Sequence, residues 1–115
     1  MPETGLKSDI TFSQDLSLGA LSSTTSIGRR FKLVEISFKF SANVTETITI
    51  TRDSKQGANY DVILQKITIV DESSYIYAPR DGILFQDDDE IKVQCTNSGL
   101  AGICYGIIKA KEVLQ

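Results

Sequence analysis

This sequence predicts an all-β fold: an antiparallel β-sandwich of about eight strands with jelly-roll topology. Three observations point there. From Arg30 to Lys111, apolar and polar residues alternate over short runs, as they do in half-buried strands. Gly, Asn and Asp clusters cut those runs into pieces. No apolar stripe follows a 3.6-residue period for more than about two turns, so no long helix competes.

Residues 1–28 differ from the rest. Ile10 and Phe12 mark a short strand, but Gly19 to Gly28 is rich in Ser, Thr and Gly. The division this suggests is a flexible or partly ordered N-terminal arm over 1–28 and a β-sandwich domain over 29–115. In the first strong strand, Val34, Ile36, Phe38 and Phe40 share one parity and form its richer face. Phe31 and Leu33 fall on the other. Ser41-Ala42-Asn43 reads as a turn, and Val44 to Thr51 as a second strand with a threonine row at 45, 47, 49 and 51. Four β-branched threonines favour strand over helix.

Arg52 to Asn59 is a polar connection. Tyr60, Val62 and Leu64 then alternate in one phase and Ile63, Ile67 and Ile69 in the other. That switch near Gln65-Lys66 calls for a bulge or for a strand crossing between sheets. Ser73 to Ala78 reads as a further short strand, and Ile83-Leu84-Phe85 as a brief apolar step before the acidic run Gln86 to Glu90. Ile91, Val93 and Cys95 form a strand whose expected partner is Ala101 to Lys111. A hairpin through Asn97-Ser98-Gly99 would set Cys95 opposite Cys104, Val93 opposite Gly106 and Ile91 opposite Ile108.

Composition narrows the function classes. A chain of 115 residues supports one core. Its net charge of −3, with 12 basic and 15 acidic residues, offers no basic footprint for nucleic acid. No apolar run approaches the roughly 20 residues of a membrane span, and Met1 to Lys7 has no apolar signal-peptide core, which predicts synthesis in a cytoplasm without export. There is no histidine, so Ser-His-Asp and Cys-His catalysis are excluded. The chain has no Trp and few aromatics for a sugar platform. No catalytic residue, cofactor or enzyme activity is expected.

Four candidate features remain. Cys95 and Cys104 are either two small buried hydrophobes or a cross-strand disulfide. Asp87, Asp88, Asp89 and Glu90 are either a solvated turn or the start of a Ca²⁺ site, without the alternate spacing and glycine of an EF-hand. Tyr75 and Tyr77 are core or interface residues, or the floor of a ligand groove. Phe31, Leu33, Ile103, Tyr105 and Ile107 are surplus apolar residues on nominal outer faces. They mark a subunit interface or a sandwich buried unevenly by its loops.

The segment Phe38 to Ile107 resembles the small jelly-roll proteins of tailed bacteriophage virions. The resemblance begins with the strand ending Phe38-Lys39-Phe40 and the Thr-rich Val44 to Thr51. It continues through Thr51-Arg52-Asp53-Ser54, the Tyr60-Asp61 strand start and Pro79. It ends with Asp89-Glu90-Ile91-Lys92-Val93, Asn97 and Tyr105-Gly106. Where that group often has Gly-Asp, this chain has Asp88-Asp89. The resemblance implies a non-enzymatic virion structural protein: a capsid decoration or cement subunit, or a head-tail accessory. It also implies capsid or tail subunits as partners, homo-oligomers such as trimers, and an arm (Met1 to about Gly28) that grips neighbours. The rival is a small carbohydrate- or ligand-binding β-sandwich module, Ca²⁺-assisted through Asp87 to Glu90, with Tyr75 and Tyr77 in its groove.

Overall fold

One strand organises the whole sheet. β3 runs from Phe31 to Asp53, 23 residues in which apolar or β-branched side chains recur at alternate positions. The structure is a computed structural model, and it describes residues 7–54, 56–98 and 102–113. Around β3 lie β1 (Lys7–Asp15), β2 (Leu21–Ser26), β4 (Val62–Tyr77), β5 (Ile83–Phe85), β6 (Glu90–Cys95) and β7 (Ile103–Glu112). A 3-10 turn at Ala58–Tyr60 precedes β4. Every strand pairing is antiparallel, in the order β1-β7-β3-β6-β2, with β4 and β5 also on β3.

The sheet folds over on itself along β3. Residues 31–40 pair with β7, whereas residues 48–53 pair with β6. The first layer is therefore β1, β7, the start of β3, the end of β4 and β5. The second is β2, β6, the end of β3 and the start of β4. Both layers contribute to one core, including Phe12, Leu16, Phe31, Phe38, Ile50 and Val93. Phe31 stacks on Phe85 at 4.7 Å, and Phe12 meets Phe38 edge-on at 5.2 Å. Each such buried ring contributes about 2–3 kcal/mol. The result is elongated: its radius of gyration is 14.5 Å, against about 13 Å for a compact chain of this length.

The all-β antiparallel sandwich stands, with seven strands among the described residues. Several expected details do not. Ser41-Ala42-Asn43 is not a turn: β3 continues through it and bends there. Register against β4 jumps from Lys39↔Ser74 to Val44↔Glu72, so β3 carries the surplus residues. The bend is pinned from β4. Asp71, at a φ of 54°, gives its N–H to Thr45 Oγ1, and Asn43 Nδ2 donates to Asp71 Oδ1. Ser73 to Ala78 is not a separate strand either, because β4 runs unbroken to Tyr77. The parity switch in β4 is a bulge. Ile50 faces Gln65 and Thr51 faces Ile63, which leaves Leu64 unpaired.

The flexible-arm division fails over residues 7–26. β1 pairs with β7 along its whole length and β2 with β6. Phe12, Leu16 and Leu21 are core residues. Alternation was present here, but its polar half is Ser and Thr, which reads as loop composition. Residues 1–6 of that arm lie outside the described residues. The β6–β7 hairpin is a further correction: the two strands do not pair, and each lies against a different part of β3. Cross-strand matching of large and small side chains is satisfied instead through β3, where Cys95 pairs with Ile48 and Gly106 with Phe38.

Candidate interaction face

The outer surface of the first layer is built by four strands, β1, β7, β3 and β4. β7 points Cys104, Gly106, Ile108 and Ala110 inward, so Ile103, Tyr105, Ile107 and Lys109 point out. Register extends each of these into a row across the layer. Thr11, Ile107, Ser37 and Ile76 form one row, and Ser13, Tyr105, Lys39 and Ser74 the next. Ile76 is 60% exposed, and Ile103 and Tyr105 are each 45% exposed. Their strand neighbours Thr11, Ser13 and Ser37 are short, and with Tyr105, Ile107 and Lys39 they line an open hollow of about 680 Å³. Gly106 and the edge of Phe12 form part of its floor. Asp9, Glu35, Lys109 and Lys39 border the apolar centre with both signs of charge.

Three of the five interface candidates thus share one face: Ile103, Tyr105 and Ile107. Phe31 and Leu33 do not, being 1% and 0% exposed. The reason is a register shift between Leu33 and Glu35. It turns Val34 outward and brings Phe31 and Leu33 onto the same inner side as Ile36 and Phe38. Strict alternation from Phe31 to Phe40 cannot reveal a bulge at Val34. Ile76 was missed, although its place between Tyr75 and Tyr77, which both pack on the core, is the signal that it faces out.

The remaining candidates go elsewhere. Tyr75 packs on Phe38 and accepts a hydrogen bond from Gln65 Nε2 at 2.9 Å. Burial, with the neighbouring Tyr75 adding to it, pushes the Tyr77 hydroxyl above its usual pKa. Neither ring offers a flat exposed platform. In the acidic run, Asp89 turns inward and accepts the Gln86 N–H, closing a tight turn, while Asp87 and Asp88 remain exposed. Among the described residues no three acidic or cysteine side chains are grouped to hold a metal ion.

A polar cluster in the second layer was not foreseen. Glu46 is 1% exposed, and its Oε1 accepts from Thr96 Oγ1, Ser98 N and Ser98 Oγ at 2.7–2.9 Å. This ties the start of the β6–β7 link to β3. Next to it lie Cys95 and Cys104, both buried and both free thiols. Cys104 donates to Cys95, and Cys95 donates to the Thr96 carbonyl at 3.4 Å. The bond to Cys95 and burial both push the Cys104 thiol up, while that same bond lowers Cys95 against burial and the Glu46 charge.

The fold and this face define an antiparallel β-sandwich with an apolar outer surface. No protein-family model matches the chain, and no curated protein does. Among solved structures, a Yersinia pseudotuberculosis-derived mitogen matches with a TM-score of 0.48 and 10% identity, over 96% of this chain and 89% of that one. A likeness of that extent carries no functional argument.

Proposed function

We propose that this chain is a non-enzymatic structural subunit that works by burying the outer face of its first layer against other protein chains. The observation that carries the reading is the exposed apolar set Ile76, Ile103 and Tyr105, with half-buried Ile107 beside them, on one sheet face that an isolated subunit leaves to water. Exposed aromatic and aliphatic side chains beside a hollow, rimmed by mixed charges, have the anatomy of an interface core and its rim. Further copies of the chain are the proposed first occupants, because closed homo-oligomers are the common fate of such a patch. A trimer is the form the sequence resemblance implies.

The virion setting rests on that resemblance alone. In it the chain is a capsid decoration or cement subunit, or a head-tail accessory, made in the host cytoplasm and bound to capsid or tail subunits. Co-sedimentation with tailed-phage particles lacking their auxiliary proteins tests the setting. Binding that saturates at a symmetric copy number supports it, and a failure to bind particles from the phage that encodes the chain overturns it. Loss of binding in Tyr105→Glu would assign the contact to this face.

A further inference from the structure

We propose that Cys95 and Cys104 form a modification site: a disulfide that staples the two layers together once the protein meets an oxidising environment. The inference is independent of what covers the outer face. Its basis is position. Cys95 ends β6 in the second layer and pairs with Ile48, whereas Cys104 lies near the start of β7 in the first and pairs with Phe40. Because β3 bends between residues 40 and 48, the two thiols meet across the core, where one donates to the other. A bond between them would replace that contact and would close only the short β6–β7 link. The Glu46 bonds to Thr96 and Ser98 already hold the start of that link in place.

The chemistry needs an oxidant, and a small-molecule disulfide such as oxidised glutathione suffices. The Cys95 thiolate attacks one sulfur of the oxidant, forming a mixed disulfide and releasing one small thiolate. Cys104 then loses its proton, attacks the Cys95 sulfur and expels the second small thiolate. The protein dithiol gives up two electrons and two protons, and the oxidant disulfide becomes two thiols. Cys95 is the attacking group because the Cys104 thiol donates to its sulfur, which favours the thiolate there. Both sulfurs are buried, so the bond forms during folding or through opening of the link. A reducing cytoplasm leaves the thiols free, and an external setting locks them.

The test is refolding from denaturant in oxidised glutathione, compared with refolding in reductant. The two free thiols, counted after denaturation, fall to none, the non-reduced chain keeps its monomer mass, and a peptide linking Cys95 to Cys104 is recovered. The unfolding midpoint rises by roughly 10 °C for so short a loop, and reductant reverses the rise. The Cys95→Ala, Cys104→Ala double variant shows no response to the oxidant. Retention of both thiols, linkage between separate chains, or a disulfide that lowers the midpoint would each overturn the proposal.

Discussion

The two layers share β3 and β4, yet their outer faces differ in kind. On the first, rows of Ile76, Ile103, Tyr105 and Ile107 alternate with short serines and threonines. On the second, the rows are Ser22, Gln94, Thr49 and Lys66, then Thr24, Lys92, Thr51 and Ile63. Thr47 and Thr68 hydroxyls bond to each other beside them at 2.8 Å. The second face is mostly hydroxyls, an amide and two lysines, which water and neighbours satisfy, with Ile63 as its one exposed isoleucine among those rows. A face of exposed isoleucine and tyrosine is not satisfied in that way. The difference teaches which side of the sandwich the proposed partner would cover. It also shows that strand composition alone is a poor guide, because β3 supplies both faces.

The largest effect should come from removing an edge of the apolar layer. Deleting residues 1–20 takes away β1 with the buried Phe12 and Leu16. Each is worth about 3–5 kcal/mol, enough together to exhaust a small domain's stability. The truncated chain should show no cooperative melting by circular dichroism. A sharp transition close to that of the full chain would restore the flexible-arm reading.

Gly106→Val attacks the same layer from within. A Cβ at this position would lie 2.6 Å from Phe12 Cζ and press on the Ser37 carbonyl. Chemical denaturation should show a loss of about 3 kcal/mol or more, as overpacking predicts. In the second layer, Glu46→Ala should cost about 3 kcal/mol by leaving the Thr96 and Ser98 donors without their acceptor. Glu46→Gln, which keeps an oxygen, should cost less. Thr49→Glu, on the hydroxyl face, should change stability by no more than about 0.5 kcal/mol and leave association untouched. A loss of association there would exchange the roles of the two faces.

The smallest effect concerns Asp15, in the row of Ile103. Its carboxylate accepts from Ser17 Oγ and the Ser17 N–H, which lowers its pKa from 3.8. A lowered folded pKa stabilises the protein above the unfolded value, and the benefit is lost as pH falls through the folded one. Melting curves of wild type and Asp15→Asn should therefore differ slightly near neutrality and converge on acidification below that range. Divergence at low pH would contradict the sign.

Much of this was legible where alternation is uninterrupted. β7 shows Ile103, Tyr105 and Ile107 at one parity with Cys104, Gly106 and Ile108 at the other, so its outward residues could be named in advance. Phe31 and Leu33 were misplaced because the bulge at Val34 is a backbone event without a Gly or Pro to announce it. The β6–β7 hairpin failed for a different reason. Antiparallel neighbours in sequence need not pair when a third, longer strand can accept both. Glu46 was hidden because the donors to its Oε1, on Thr96 and Ser98, lie about 50 residues away, and no local pattern encodes such a contact.

The central claim is association through the apolar face. Light scattering of the purified chain at tens of micromolar concentration, alongside the Ile76→Glu, Tyr105→Glu double variant, tests it most directly. The account predicts a wild-type mass that is a multiple of 12.6 kDa and a variant that is monomeric with its unfolding midpoint nearly unchanged. A wild type of monomeric mass, or a variant that keeps the wild-type oligomer, would contradict it.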